Sequence, residues 1–552
     1  MQSADDILAR LDTLNAIGIA LSHERDLPTL LERILEAARE FARADGGTLY
    51  RVEDDRLHFA VLRNHSLGYF KGGRHGEPID FAPLPLYLPD GSGNHGMVVA
   101  HAALTGETVN IPDAYDAEGY DFSGTRAFDA RTGYRSQSFL TVPMKDHDGR
   151  VIGVLQLINA KDDQGNTVAF TDADQRLVES LASQAAIALN NRRLIDQLEN
   201  LFEALINLIN TAIDEKSPYT GGHCERVPVL TSLLAEAAHR TEVGPLAGFR
   251  MNEADRYELK IAGLLHDCGK ITTPVHVVDK ATKLQTLFDR IELVDTRFEV
   301  LRRDAEIALL RGELDEDGYR DRLARLDADR EAVREANIGG EFMDDARIAN
   351  IRRIGAMRWR GPDGSEQSFL SADELENLCI RRGTLTEAER GIINHHIVVT
   401  IRMLEALPWP PHLRRVPEYA GGHHERMDGK GYPRGLTREQ MSIPARVMGI
   451  ADVFEALTAA DRPYKTGKTL SESLTILGRM KLDNHVDPDL FDVFLRERVY
   501  LEYAERFLPP EQIDEIDWHR IPGVSPALAA ELAAGDEARR AAKGAAAPRQ
   551  GR

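Results

Sequence analysis

The chain has 552 residues, enough for two or three domains that each bury a core of their own. A formal charge of -21 at pH 7 excludes a general nucleic-acid-binding surface, though not a basic pocket inside an acidic shell. Cys224, Cys268 and Cys379 form no CxxC pair, the start MQSADDILARLD carries acids where a signal peptide carries lysine or arginine, and no apolar run approaches membrane-spanning length. A cytoplasmic protein is expected, with neither a nucleic-acid polymer nor a membrane among its partners.

In chain order, residues from about Leu11 to Ala42 are periodic, with Leu27, Leu30, Leu31, Ile34 and Leu35 among charges, and predict helix. After the turn signal Asp45-Gly46-Gly47 come strand candidates Thr48–Val52 and Leu57–Val61, then a glycine-rich irregular stretch from Gly72 to Gly96. Ser138–Pro143, a turn through Gly149, and Val151–Ile158 read as strand, turn, strand. Thr171, with Asp174 three residues on, predicts the cap of a helix running through Leu189 and Leu194 toward Ile209. It lacks internal proline and is longer than a usual globular helix. That suggests a coiled-coil-like connector over residues 175–215, the alternative being a helix packed on its own domain. From Tyr219 to about Glu502 the pattern is mainly helical. Residues 296–382 form a highly charged interval within it that reads as an inserted helical hairpin with a solvated face. Residues 503–552 read as a C-terminal extension ending in a disordered tail.

The first third resembles a GAF sensory domain over residues 12–190, in its order of elements, in VIGVLQLINA (Val151 to Ala160) and in the stretch Phe128 to Arg135. In GAF domains of cyclic-nucleotide phosphodiesterases, a dispersed asparagine, lysine, phenylalanine, aspartate, glutamate signature accompanies nucleotide binding. Asn159, Phe170 and Asp174 match it, whereas Ala160 and Gln175 replace its two other charged members. The resemblance implies either a GAF domain holding a small molecule or cyclic nucleotide, or a folded dimerisation module.

The chemistry-bearing residues lie further on: His223, His266-Asp267, His396, His423-His424 and Asp452. Imidazoles mixed with carboxylates suit borderline transition metals better than calcium or magnesium. The set exceeds one tetrahedral site, so two metals sharing a carboxylate and an activated water are expected, as for hydrolysis of a phosphate ester. His266-Asp267 follows the apolar run Ile261 to Leu265, and Asp452 lies within another, Val447 to Phe454. A charge buried there is costly unless paired or metal-bound. The similar pair His147-Asp148 sits in a glycine turn and reads as solvent-exposed.

Residues Tyr219 to about Phe494, without the insertion, resemble an HD-GYP domain, the branch of hydrolases that degrades cyclic di-GMP. The marks are His223 with Arg226-Val227, Leu265-His266-Asp267 with Gly269-Lys270, and His423-His424-Glu425-Arg426 with Asp428-Gly429. They continue with Gly431-Tyr432-Pro433, Arg446 to Asp452, and Asp461 to Tyr464. The architecture implied is multidomain: an α/β GAF domain, a connecting helix, and an all-α HD-superfamily domain over residues 216–502 with a helical insertion. The resemblance implies His223, His266, Asp267, His396, His423, His424 and Asp452 as ligands of two divalent metals, commonly iron and in some members manganese, with Asp267 bridging. His395 is the alternative to His396. Tyr219 stands where some members have a third-metal glutamate, which favours two metals.

The implied reaction opens a phosphodiester of cyclic di-GMP to give pGpG, and then GMP in some members. Lys270 is the candidate to steady the phosphate and developing charge, its alternative being a structural lysine at a helix end. Arg426, Arg446, Arg462 and Lys465 are candidates for phosphate or guanine contacts. Gly431, Tyr432 and Pro433 are expected to shape the substrate opening and a surface for protein partners, and a parallel homodimer is expected through GAF domain and connecting helix. Competing readings are hydrolysis of a hybrid cyclic dinucleotide, cyclic GMP-AMP, and a catalytically silent cyclic-dinucleotide receptor.

Overall fold

The protein is described by a computed structural model, which describes residues 15–216 apart from 22 and 25, 222–459 apart from 341, and 467–546. The chain divides into two compact units, Met1–Phe202 and Glu203–Arg552.

In the first unit, Glu24 and Asp26 interrupt the expected N-terminal helix, and Asp26 caps α1 (Leu27–Phe41) by accepting from the Thr29 amide at 3.0 Å. There follow β1 (Ala44–Glu53), β2 (Arg56–Asn64), β3 (Tyr69–Gly72), β4 (Leu84–Pro85), α2 (Val98–Thr105), β5 (Val109–Ile111), α3 (Ser123–Thr132), β6 (Phe139–Lys145), β7 (Val151–Lys161) and β8 (Thr167–Val168). The sheet order is β3-β2-β1-β7-β6-β5, antiparallel throughout, with β4 added to β2 and β8 to β7. Alternation gives the sheet two unlike faces. Leu49, Leu155 and Leu157 pack with Leu30, Ile34 and Leu35 of α1 and with Val178, Leu181 and Ala185 further on. Tyr50, Gln156 and Ile158 instead line a cavity of about 550 Å³.

The connector is α4 (Asp172–Lys216), 45 residues long. Thr171 and Asp174 start it as a reciprocal box, each accepting from the other's amide at 3.0–3.2 Å.

The second unit opens with α5 (His223–Arg240), α6 (Glu253–Leu265) and the short α7 (Val275–Val278). The charged interval holds α8 (Ile291–Leu310), α9 (Glu316–Asn337), α10 (Asp345–Gly355), a hairpin of β9 (Arg358–Arg360) and β10 (Glu366–Ser368), and α11 (Ala372–Leu378). It is therefore more than a helical hairpin. Leu284, Val294, Phe298, Val333, Ile351, Phe369 and Leu378 form a common core, which begins before Thr296. The hairpin's signal is Gly361-Pro362-Asp363-Gly364, where Asp363 accepts from the Ser365 amide at 2.9 Å and Gly364 takes a φ of +79°.

Then come α12 (Glu387–Glu405), α13 (Val416–Gly421), α14 (Ile443–Thr458), α15 (Leu470–Leu482), α16 (Pro488–Arg496), α17 (Val499–Phe507) and α18 (Pro526–Ala546). The C-terminal extension is folded through α18, with Trp518, Leu528 and Leu532 buried and the Trp518 indole donating to Asp536 at 2.7 Å. Residues 547–552, on which the disordered tail was expected, lie outside the described residues. Among the described residues no helix is long and apolar enough to cross a membrane.

Candidate metal centre

Five segments bring the ligand candidates together. His223 opens α5, His266-Asp267 follows α6, and His396 sits inside α12. His423-His424 form the turn after α13, and Asp452 lies in α14. Local sequence explains the placement. Asn252 and Asp255 box the start of α6, and Thr386 and Glu389 box the start of α12. Gly269 lets the two segments touch: a Cβ there would lie 2.0 Å from the His396 carbonyl, and the Gly269 amide donates to Thr400 Oγ1 at 2.9 Å. His396 is buried, whereas His395 faces solvent.

The centre has two groups joined by one carboxylate. Asp267 Oδ2 lies 3.2 Å from His223 Nε2 and 3.3 Å from His266 Nε2, and Asp452 Oδ1 lies 3.3 Å and 3.7 Å from the same two atoms. Asp267 Oδ1 faces the other way, 3.3 Å from His396 Nε2, and His396 Nε2 is 3.2 Å from His424 Nε2. Ligands about 2.1 Å from one cation stand about 3–3.5 Å apart, which matches these separations. Each of the two groups, His223 with His266 and Asp267, and His396 with His423 and His424, could hold a metal ion.

Hydrogen bonding fixes which nitrogen is free. The Nδ1 atoms of His266, His396 and His423 donate to the carbonyls of Gly263, Ile393 and Ala420 at 2.6–2.7 Å. A carbonyl only accepts, so Nδ1 carries a proton and Nε2 is the nitrogen left to face inward. His223 Nδ1 lies 2.5 Å from Glu455 Oε2, while Glu455 Oε1 accepts from Arg226 at 2.8 Å. Asp267 Oδ1 and His423 Nε2 are buried and make no hydrogen bond among the described residues. Unsatisfied atoms of this kind, a carboxylate oxygen and an imidazole nitrogen, fit a cation.

The electrostatics separate the groups. Burial opposes charge on His223 and His266, but the carboxylates around them outweigh it; His223 is held well above the usual histidine range and His266 at about 9. Burial also opposes charge on Asp267 and Asp452, yet Lys270 and the histidines beside Asp267, and His223 and His266 beside Asp452, hold both well below the carboxylate range. Burial, reinforced by neighbouring histidines, pushes His423 well down; burial carries His424 to about 4.

Around the centre, Lys270 Nζ lies 2.5 Å from Asp267 Oδ2. Tyr432 stacks on His424 with ring centroids 4.8 Å apart. The buried Glu425 accepts from the Arg434 and Leu436 amides at 2.7 and 2.9 Å, organising the loop with Gly431, Tyr432 and Pro433. A Cβ on Gly431 would meet the Glu425 backbone at 2.4 Å, so glycine is needed where the chain crosses itself.

Other expected contacts are placed elsewhere. Arg446 Nη1 is bound 2.5 Å from the buried Asp487, and Arg426 reaches Asp428 at 3.1 Å and the Asp483 carbonyl at 2.9 Å. Carboxylates close by take donors of both guanidinium groups. Arg462 and Lys465 lie outside the described residues. In the first unit, Asn159 accepts from the Gln137 and Ser138 amides at 2.7 and 3.2 Å, Phe170 is in the core, and Asp174 caps α4. None of the three lines the cavity. Sequence reasoning missed Glu455, although a carboxylate three residues after Asp452 in an apolar helix was its available signal.

Residues 26–189 match the GAF domain family, and residues 220–338 and 372–490 match two families each described as an HD domain. A 3'3'-cGAMP-specific phosphodiesterase 3 of Vibrio cholerae is 24% identical over 321 residues, 58% of this chain and 43% of that protein. A 3'3'-cGAMP-specific phosphodiesterase 1 of the same organism is 47% identical over 81 residues, 15% of this chain and 19% of that protein. A cyclic di-GMP phosphodiesterase of Pseudomonas aeruginosa is 38% identical over 120 residues, 21% of this chain and 26% of that protein. The chain spans less than half the length of these curated relatives. The solved GAF domain of an Acinetobacter phosphoenolpyruvate-protein phosphotransferase is similar at 18% identity and a TM-score of 0.26, over 36% of this chain and 99% of that one. The chain thus carries a GAF domain at residues 26–189 and HD-domain sequence over residues 220–338 and 372–490.

Proposed function

We propose that the chain is a cytoplasmic, GAF-regulated phosphodiesterase of HD-GYP type that opens cyclic di-GMP to pGpG. The observation that carries this is Asp267, whose two oxygens face two separate histidine groups at 3.2–3.3 Å. His223, His266, Asp267 and Asp452 would hold one divalent ion, and His396, His423, His424 and Asp267 the other, iron or manganese being the ions such ligands suit. Bound there, the ions supply charge neutralisation at the phosphate and a nucleophile available at neutral pH. The protein's own part is placement. Asp267 fixes the spacing of the two groups, and the Nδ1 bonds lock the imidazoles of His223, His266, His396 and His423. The ammonium of Lys270 stands beside Asp267 to meet a non-bridging phosphate oxygen and the charge that develops as the P–O3′ bond breaks. The products are a 5′-phosphate and a 3′-hydroxyl, and the Gly431-Tyr432-Pro433 loop borders the opening, where partner proteins would also meet the domain.

Regulation would run through α4. Ile187, Leu194, Leu198, Leu201, Leu205 and Leu208 recur with heptad spacing and are 45–67% exposed, an open seam suited to a parallel partner helix of a second copy. The GAF cavity would take the signal. Its wall is aromatic at Tyr50, Phe59, Phe81, Phe122 and Phe139, and its cation Arg63 is bound to Glu32 and to the Leu62 and Lys71 carbonyls. That chemistry suits an uncharged planar molecule better than a cyclic nucleotide. The folded insertion of residues 296–382 would modulate regulation or dimer contact.

The test is anaerobic turnover by iron- or manganese-loaded protein, with cyclic di-GMP and cyclic GMP-AMP compared and metal content and products quantified together. Turnover of cyclic di-GMP to pGpG with about two metals per chain is expected. Preference for the hybrid dinucleotide, which the names of the two Vibrio cholerae relatives favour, would shift the substrate. No turnover of either at full occupancy would leave a cyclic-dinucleotide receptor.

A further inference from the structure

The 3₁₀ turn Cys268–Thr272 starts one residue after Asp267 and carries Lys270, so its position sets both groups. It is held from two directions. On one side α12 presses on Gly269 through the His396 carbonyl and Thr400. On the other, the last residue of α4 reaches it: Lys216 Nζ donates to the carbonyls of Lys270 at 3.0 Å, Ile271 at 2.6 Å and Thr273 at 2.5 Å. An ammonium has three donors, and three carbonyls at the end of one short helix take all of them. These contacts span 54–57 residues of sequence, so they are tertiary and not a local cap. The last turns of α4 are themselves seated within the second unit, with Ile206, Asn210 and Ile213 buried and Glu203 paired to Lys260 of α6 at 2.8 Å.

We propose that Lys216 is a positioning residue for the reaction, holding the Cys268–Thr272 turn so that the Lys270 ammonium and the Asp267 carboxylate keep their mutual placement. The proposal rests on the phosphodiesterase reading. The hydrogen bonds of Lys216 Nζ go to carbonyls of the turn and not to a metal-ligand candidate, so it acts through the turn. It also ends the helix that carries the leucine seam, so the clamp is where a movement of that helix reaches the catalytic turn.

The experiment compares Lys216→Met, which keeps length and removes every donor, with Lys216→Arg, which keeps charge and donors. Turnover of cyclic di-GMP, metal content and hydrogen–deuterium exchange of the peptide covering residues 266–278 are measured on the full chain. Lys216→Met is expected to lower kcat about tenfold to a hundredfold with KM within about threefold and metal content unchanged, since an ångström of misplacement costs about that much. Exchange should quicken in that peptide above all, and Lys216→Arg should recover part of both effects. Should Lys216→Met not fold, Lys216→Gln, with two donors, takes its place. Wild-type kcat, unchanged exchange, or loss of metal without a local change in exchange would each overturn the proposal. If the wild-type chain does not hydrolyse cyclic dinucleotides, the functional reading fails, while the exchange comparison still decides whether Lys216 clamps the turn.

Discussion

The two halves of the centre use the same imidazole ring for opposite ends. Around His223 and His266, burial opposes charge but three carboxylates, Asp267, Asp452 and Glu455, outweigh it and hold both histidines above their ordinary range. Around His396, His423 and His424, three rings crowd together with Asp267 Oδ1 as the nearest carboxylate oxygen, and burial keeps His423 and His424 neutral. In the first group every ring nitrogen lies within 3.3 Å of a carboxylate or carbonyl oxygen. The second leaves Asp267 Oδ1 and His423 Nε2 without hydrogen bonds among the described residues. Composition of the ligand set, not ring identity, therefore decides what each half offers a cation.

Removing the shared carboxylate should erase the difference. Asp267→Ala is expected to lower metal content from about two ions to below one per chain and turnover by about a thousandfold or more, read by elemental analysis and product chromatography. Normal activity at normal metal content would sink the bridging assignment. The next variants separate the halves. His396→Ala should empty the histidine-rich group and Asp452→Ala the carboxylate-rich one, each leaving about one ion and costing about a hundredfold in turnover. If either variant lost both ions, the halves would not be independent.

A smaller effect is expected behind the first group. Glu455 orients His223 through Nδ1 and is tied in turn to Arg226. Glu455→Gln keeps the shape but weakens the acceptor, so metal affinity should fall about tenfold at that group alone. A titration showing equal loss at both groups would assign Glu455 to folding and not to His223.

Among the ligand candidates, His266-Asp267 and Asp452 were legible because each sits inside an apolar run, whereas His223, His396 and His423-His424 were legible from the resemblance to HD-GYP domains. The sheet and α4 were legible from alternation and from the Thr171–Asp174 box. What sequence could not supply was direction. Arg446 and Arg426 read as substrate contacts because arginine suits phosphate, and only three dimensions reveal Asp487 and Asp428 claiming them. Asn159, Phe170 and Asp174 match a binding signature, yet they hold a strand end, fill the core and cap a helix. The contact between Gly269 and α12 joins residues far apart in sequence, so no local pattern announces it.

The least effect on turnover is expected at Arg446, and it tests the comparison by contrast. Asp487 is a fully buried carboxylate like Asp267, but its partners are guanidinium groups: Arg446 at 2.5 Å and Arg438 at 2.9 Å. It also caps α16, accepting from the Asp489 and Leu490 amides at 2.9 and 3.1 Å. Every strong contact of Asp487 is thus to fixed donors, whereas Asp267 keeps one oxygen free of hydrogen bonds among the described residues. Arg446→Met should leave kcat, KM and metal content near wild type. It should lower stability by about 3 kcal/mol, the order of cost for stripping one partner from a buried ion pair. Chemical denaturation beside steady-state kinetics checks both halves of that expectation. A rise in KM at unchanged stability would return Arg446 to the substrate and remove the distinction drawn between a carboxylate held by arginines and one left open to a cation.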